Sequence, residues 1–172
     1  MFLNKCLANN RHLIEYAFKA HQKGLILPDT YLLDLDTIKA NASAMLKEAD
    51  DNGVLLYFML KQIGRNPKVG KMLMDLGFKG AVVVDYKEAL VMIENGIHIA
   101  NVGHLVQIPK AALRKIIASK VDVVTVYSYD KILEVNEVAK ELGIVQPLLI
   151  RITDDDAELY SGQVAGFSSE EL

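Results

Sequence analysis

Five residues with reactive or charged side chains follow hydrophobic stretches of the sequence at similar intervals. They are Lys61, Asp85, His104, Tyr127 and Arg151, separated by 24, 19, 23 and 24 positions. Together they supply a nucleophilic amine, groups that can exchange protons and a cation that can bind an anionic ligand. Polar residues also begin ordinary loops, and this alone can explain some of the five positions.

Lys61 is the most informative of the five because it directly follows the hydrophobic run VLLYFML, residues 54–60. A lysine at the mouth of a buried strand is partly removed from water, which favours the neutral amine over the ammonium. The neutral amine attacks carbonyl carbons, and lysines bind pyridoxal phosphate in this way. The alternative is a structural lysine that extends past the rim into solvent or pairs with Asp85. Asp85 in turn could pair with Arg151 or cap the following helix.

The predicted elements alternate between hydrophobic strands and amphipathic helices. The strands are continuous runs of Val, Ile and Leu, which is typical of a parallel sheet covered by helices. They are predicted over residues 54–60, 80–85, 99–103, 121–128 and 147–152. The carboxyl ends of parallel strands share one face, and ligands bind at that face in both barrels and open sheets. We therefore expect the residues that end the strands to lie close together.

Composition limits the class of protein. The chain has 172 residues, of which 51% are hydrophobic and 24% charged, and both values are typical of a globular protein. A net charge of −3 gives no electrostatic case for binding nucleic acid or an anionic membrane. The single cysteine, Cys6, has no partner for an internal disulfide. We expect a soluble, cytoplasmic protein with neither a nucleic acid nor a membrane as its partner.

The stretch YLLDLDTIKANASAMLKEADDNGVLLYFMLKQIGRNP, residues 31–67, resembles the opening of the fold-type III, pyridoxal-phosphate-dependent alanine racemase superfamily. In that family an aspartate-bearing entry strand, a helix with an asparagine and a strand ending in the cofactor lysine follow one another. The matching positions are Asp34, Asp36, Asn41 and Lys61. The turn KQIGRNP departs from the usual KANAYGHG, and together with GAVVVDYKEAL, NVGHLVQIPK and VYSYDKILEVN it is most similar to the YhfX-like branch.

The resemblance implies a (β/α)8 TIM-type barrel, usually followed by a β-rich domain, in a head-to-tail homodimer. We expect this chain to carry only about the first five barrel strands and therefore to be a fragment. Residues 1–29 would be an N-terminal helix and lead-in, and residues 30–172 the first part of the barrel. A half-barrel would leave sheet edges and apolar faces bare.

The resemblance also implies an amino-acid racemase-like enzyme, an isomerase that depends on pyridoxal 5'-phosphate. Lys61 would hold the cofactor as an internal aldimine and exchange a proton with the α-carbon of an amino-acid substrate. His104, Tyr127 and Arg151 are the other candidate cofactor contacts. In the family a second acid or base comes from the other domain. The segment YSGQVAGF, residues 160–167, lacks the arginine that racemases carry there, which argues against alanine as the substrate.

Several alternatives remain open. An aldolase or a decarboxylase would use the same cofactor, and a non-catalytic barrel protein would bind it to maintain its supply. A flavodoxin-like five-stranded binding domain would fit the length without truncation. The acidic segment DDDAE, residues 154–158, is more typical of an exposed loop than of a metal site, and no metal is expected. Gly162 and Gly166 either allow the backbone to approach a ligand closely or form a turn.

Overall fold

A computed structural model describes residues 2–153 and 166–168 of the chain. The chain divides into two compact units, residues 1–45 and 46–172. The first unit contains α1 (Phe2–Asn9), α2 (Arg11–Gln22) and most of α3 (Leu35–Asp51), which runs into the second unit. No helix in these described ranges combines the length and the apolarity that a membrane span requires. The predicted division at residue 29 stays a prediction.

Within the first unit, Asp34 acts as the N-terminal cap of α3. Its carboxylate accepts hydrogen bonds from the backbone N–H groups of Asp36 and Thr37, at 3.1 and 3.0 Å, and from the Thr37 hydroxyl at 2.9 Å. The Asn10 side chain, which caps α2, donates a further hydrogen bond to it. The hydrogen bonds from Thr37, and then that from Asn10, lower the pKa of Asp34. Residues 30–34 form no strand, so the expected entry strand is wrong for the described structure.

The second unit holds a four-stranded parallel sheet in the order β1-β2-β3-β4. The strands are β1 (Ala81–Val83), β2 (Ile99–Val102), β3 (Val123–Val126) and β4 (Leu148–Ile150). The intervening helices are α4 (Pro67–Leu76), α5 (Tyr86–Glu94), α6 (Lys110–Ala118) and α7 (Tyr129–Leu142). Each strand lies beside its predecessor in the chain, as in a barrel. A flavodoxin-like sheet has a rearranged strand order, so that alternative is wrong.

Short pairings extend the sheet at both edges. Phe58 forms an isolated parallel bridge with Ala81. A continuous strand was predicted over residues 54–60, and within that range only this bridge is formed. The Phe58 N–H donates to Gly80 at 3.1 Å, and the Phe58 carbonyl accepts from Val82 at 2.8 Å. At the other edge Ile152 bridges to Phe167, also in parallel. The molecule is therefore an α/β chain that forms part of a TIM-type barrel.

The two faces of the sheet differ in burial. On the helix-covered face the side chains are nearly inaccessible to water, and they include Phe58, Leu60, Val83, Val102, Val124 and Val126. On the other face the residues at the two edges of the sheet are open to solvent, since Tyr57, Met59 and Leu149 are 43%, 38% and 52% exposed, whereas Thr125 between them is 3% exposed. In a closed barrel this second face lines the interior. Both faces of such a sheet are buried, which explains why the strands read as continuous hydrophobic runs.

Candidate functional site

Lys61 lies at the carboxyl end of the extended segment that precedes β1. Side chains two positions apart share one face of a strand, and Tyr57 and Met59 both belong to the second face of the sheet. Leu60 has a ψ of 6°, so the extended segment ends there, and Lys61 begins a short 3-10 helix, Lys61–Ile63. It is exposed, so the predicted burial of this lysine is wrong for the described structure. The reason is that the extended segment ends before Lys61, which lies in a turn at the surface of the described structure.

Three of the other predicted residues form a connected group. The Tyr127 hydroxyl donates a hydrogen bond to the backbone carbonyl of His104. The same hydroxyl accepts a hydrogen bond from Nη1 of Arg151 at 3.2 Å, and the Arg151 guanidinium lies 5.1 Å from the centroid of the Tyr127 ring. Because these residues follow β2, β3 and β4, the carboxyl ends of three adjacent strands meet here. The prediction that strand ends bring these side chains together is confirmed for this group.

The pKa of His104 depends on its burial and on the charges of Lys61 and Arg151. Burial of the imidazole lowers the pKa of His104, and the positive charges of Lys61 and Arg151 lower it further. The backbone of Val83 partly opposes this shift. The imidazole is therefore neutral at pH 7, since its ordinary pKa is already about 6.5. Its Nδ1 atom is buried and has no hydrogen-bond partner among the described residues, which makes it a candidate ligand contact.

Replacing Lys61 with alanine should raise the pKa of His104 because it removes one of the two positive charges that oppose protonation. The imidazole proton resonance, followed by NMR as a function of pH, measures this pKa. Lys68→Ala, which removes an exposed lysine from α4, is the matched control and should leave the titration unchanged. A His104 titration that is the same in Lys61→Ala and in the parent protein would mean that Lys61 is not close to the imidazole.

The loop that carries His104 is held against β3 by its neighbours. Gly103 has a φ of +97°, and a Cβ atom at this position would lie 2.5 Å from the carbonyl oxygen of Thr125. The Gln107 side chain donates hydrogen bonds to the carbonyls of Gly103 at 2.7 Å and Thr125 at 3.0 Å. Glycine is required here because a side chain would both strain the backbone and collide with the neighbouring strand. This loop was not predicted, although a glycine directly before His104 is a signal for it.

A cavity of about 470 Å³ lies beside the connected group. It is lined by Tyr127, Ser128, Tyr129, Gly166 and Phe167. Small-molecule sites usually have volumes of about 300–1,000 Å³, so the cavity is large enough for a cofactor or a substrate.

Asp85 has a local structural role. Its Oδ1 atom accepts a hydrogen bond from the N–H of Glu88 at 2.8 Å and caps α5, as the sequence allowed. Its Oδ2 atom lies 3.5 Å from Nη2 of Arg65. No ion pair joins it to Lys61 within residues 2–153, so that predicted pairing is wrong. Arg65 was not among the predicted residues.

Some predictions fall on the part of the chain that the structure does not describe. The segment DDDAE and Gly162 lie outside the described residues. Gly166 lies within them, and a Cβ atom there would lie 2.7 Å from the carbonyl oxygen of Arg151. The predicted approach of its backbone to a ligand stays a prediction. In residues 2–153 and 166–168, no three His, Cys, Asp or Glu side chains are grouped so that they could hold a metal ion.

Comparison with protein families gives one match that covers most of the chain. The model of the alanine racemase N-terminal domain matches residues 33–162. The uncharacterised protein YhfX from Escherichia coli K12 is 40% identical over all 172 residues of this chain. The chain spans 44% of that relative's length.

Solved structures show the same fold at lower sequence identity. D-threonine aldolase from Filomicrobium marinum superposes with a TM-score of 0.64 and 20% identity over 83% of this chain and 37% of its own. Alanine racemase from Clostridium difficile 630 superposes with a TM-score of 0.54 and 24% identity over 69% of this chain and 31% of its own. At these identities the similarity establishes the fold alone.

Proposed function

Because this chain belongs to the alanine racemase N-terminal domain family, we propose that it forms the cofactor-binding part of an amino-acid racemase-like enzyme that uses pyridoxal phosphate. The observation that supports the proposal is the place of Lys61 at the end of the extended segment that pairs with β1, at the same end of the sheet as His104, whose pKa its charge lowers. The chain spans less than half of its curated relative, so the activity is proposed for the whole protein.

The described side chains fit pyridoxal phosphate by their chemistry. Lys61 offers an accessible primary amine, the group that bonds covalently to the aldehyde of the cofactor. Arg151 offers a guanidinium that suits an anionic group of the cofactor or the substrate carboxylate. His104 offers a neutral imidazole whose buried Nδ1 atom lacks a protein partner among the described residues. When bound, pyridoxal phosphate withdraws electrons from the α-carbon of an amino acid.

Each residue then has a specific task. Nζ of Lys61 would hold the cofactor, and the same amine would take or return the α-proton on one face of the amino acid. The neutral His104 side chain contacts the cofactor without adding a second positive charge beside Lys61. Tyr127 fixes Arg151 through its hydroxyl and the face of its ring, so that the guanidinium points in a defined direction. A second acid or base, from the other domain, serves the opposite face.

The type of reaction is tested with the purified, cofactor-loaded protein and a panel of L- and D-amino acids in deuterated water. The proposal predicts exchange of the α-proton and loss of optical activity for at least one amino acid. Release of an aldehyde or of carbon dioxide in place of racemisation would identify an aldolase or a decarboxylase. Tight cofactor binding without exchange on any amino acid would contradict a catalytic role and favour the cofactor-carrier alternative.

We also propose that the whole protein is a cytoplasmic homodimer. The resemblance supports the homodimer, and the single cysteine supports a reducing compartment. Sedimentation equilibrium of the purified protein measures its mass in solution, and a monomer at micromolar concentration would contradict the dimer.

A further inference from the structure

The turn that follows Lys61 has an unusual backbone. Gly64 and Arg65 are consecutive residues with φ angles of +76° and +56°. Glycine adopts this left-handed region readily, whereas a residue with a side chain rarely does so unless its surroundings hold it there. The Arg65 N–H donates a hydrogen bond to the carbonyl of Leu60 at 3.1 Å, so the turn closes directly around Lys61.

Two carboxylates form ion pairs with the Arg65 side chain, and its buried Nε atom has no hydrogen-bond partner among the described residues. Nε of Arg65 lies 3.6 Å from Oε2 of Glu88, and Nη2 lies 3.5 Å from Oδ2 of Asp85. Glu88 is only 1% exposed, and the same Oε2 atom accepts a hydrogen bond from the Val84 N–H at 2.8 Å. A buried carboxylate is costly without a cationic partner, so Glu88 strongly favours an arginine at this position of the turn.

These contacts join the turn to the carboxyl end of β1. Val84 follows β1 directly, Asp85 caps α5, and Glu88 lies in the first turn of α5. Arg65 therefore connects the turn that begins at Lys61 to the rigid strand and helix beside it. A guanidinium can reach two carboxylates at once because of its planar fork, whereas the single ammonium of lysine cannot do so with the same geometry.

We propose that Arg65 is a positioning residue for Lys61: its clamp on Glu88 and Asp85 fixes the turn so that the Lys61 amine faces His104 and Arg151. The inference rests on the proposed function and names a residue of the same site. Lys61 is exposed and has a long side chain, so without a fixed backbone its amine would sample many positions. Loss of orientation at a reacting group is costly even when the change is small.

The dissociation constant of pyridoxal phosphate, measured by titrating the apoprotein and following cofactor absorbance, tests the proposal. Arg65→Ala should raise this constant on the order of 10-fold, because a lysine that is not held in place must lose its side-chain conformational freedom on binding. Arg65→Lys should recover only part of the loss, and it serves as the test variant if Arg65→Ala does not fold. Lys68→Ala removes an exposed cation from the same segment and should bind the cofactor as the parent does.

The same substitution in a Lys61→Ala background separates positioning from a general structural role. If Arg65 acts through Lys61, then Arg65→Ala should not weaken the remaining non-covalent binding any further. An equal loss in both backgrounds would overturn the role of Arg65 and leave the proposed function intact. Equal cofactor affinity of the parent and Lys61→Ala proteins would overturn the proposed function itself, and the positioning role with it.

Discussion

Replacement of Lys61 with alanine should remove the visible absorbance of the bond between the protein and pyridoxal phosphate. It should also slow α-proton exchange on amino acids by about 10²–10⁴-fold through the loss of proton transfer alone. Both effects have one cause, since the same amine holds the cofactor and exchanges the proton. The rate is measured at saturating cofactor by quenching the reaction at set times and determining the deuterium content of the amino acid by mass spectrometry.

Lys79→Ala is the matched control for this substitution. Lys79 is also exposed, but it lies just ahead of β1, at the opposite end of the sheet from Lys61. Its replacement should leave absorbance and exchange unchanged. If Lys61→Ala kept the absorbance of the parent protein, another lysine would hold the cofactor and the proposed site would be wrong.

The second large effect is expected at Gly103. An alanine at this position must keep a φ near +97°, which costs about 1–3 kcal/mol for a residue with a side chain. Its Cβ atom would also lie 2.5 Å from the carbonyl oxygen of Thr125, a backbone atom that cannot move without shifting β3. We expect Gly103→Ala to lower the free energy of unfolding by at least about 3 kcal/mol and to weaken cofactor binding by displacing His104.

Gly96→Ala separates the two causes. Gly96 has a φ of +70°, and a Cβ atom there would meet no other atom within 4 Å. This control therefore carries the backbone strain without the steric overlap, and it should cost about 1–3 kcal/mol. Urea unfolding of both variants measures the difference. A Gly103→Ala protein as stable as Gly96→Ala would show that the loop before His104 can relax away from β3.

The sequence predicted the layout of the sheet better than the lengths of its strands. Continuous hydrophobic runs and the helices between them indicated consecutive parallel strands, and the observed order agrees. The run at residues 54–60 is as hydrophobic as the others, yet only Phe58 bridges to a neighbouring strand. Hydrophobicity shows that a segment is suited to burial, whereas the length of a strand depends on how many hydrogen-bonding partners lie beside it.

The candidate site residues that follow strands could be predicted from the sequence, whereas those that depend on the conformation of a turn could not. His104, Tyr127 and Arg151 meet because parallel strands place their carboxyl ends together. The ion pairs of Arg65 with Asp85 and Glu88 were missed because they require a left-handed backbone at a non-glycine residue. Glu88 was missed as well, since in the sequence it reads as an ordinary glutamate in the first turn of a helix. Nothing in its spacing shows that its carboxylate turns back towards Val84 and Arg65.

The identity of the lysine that bonds to pyridoxal phosphate is the central claim, and one measurement tests it directly. The cofactor-loaded protein is reduced with borohydride, digested and mapped by mass spectrometry. The account predicts a phosphopyridoxyl group on Lys61 and on no other lysine. A modified lysine elsewhere in the sequence, or no stable adduct from a protein that has bound the cofactor, would contradict it.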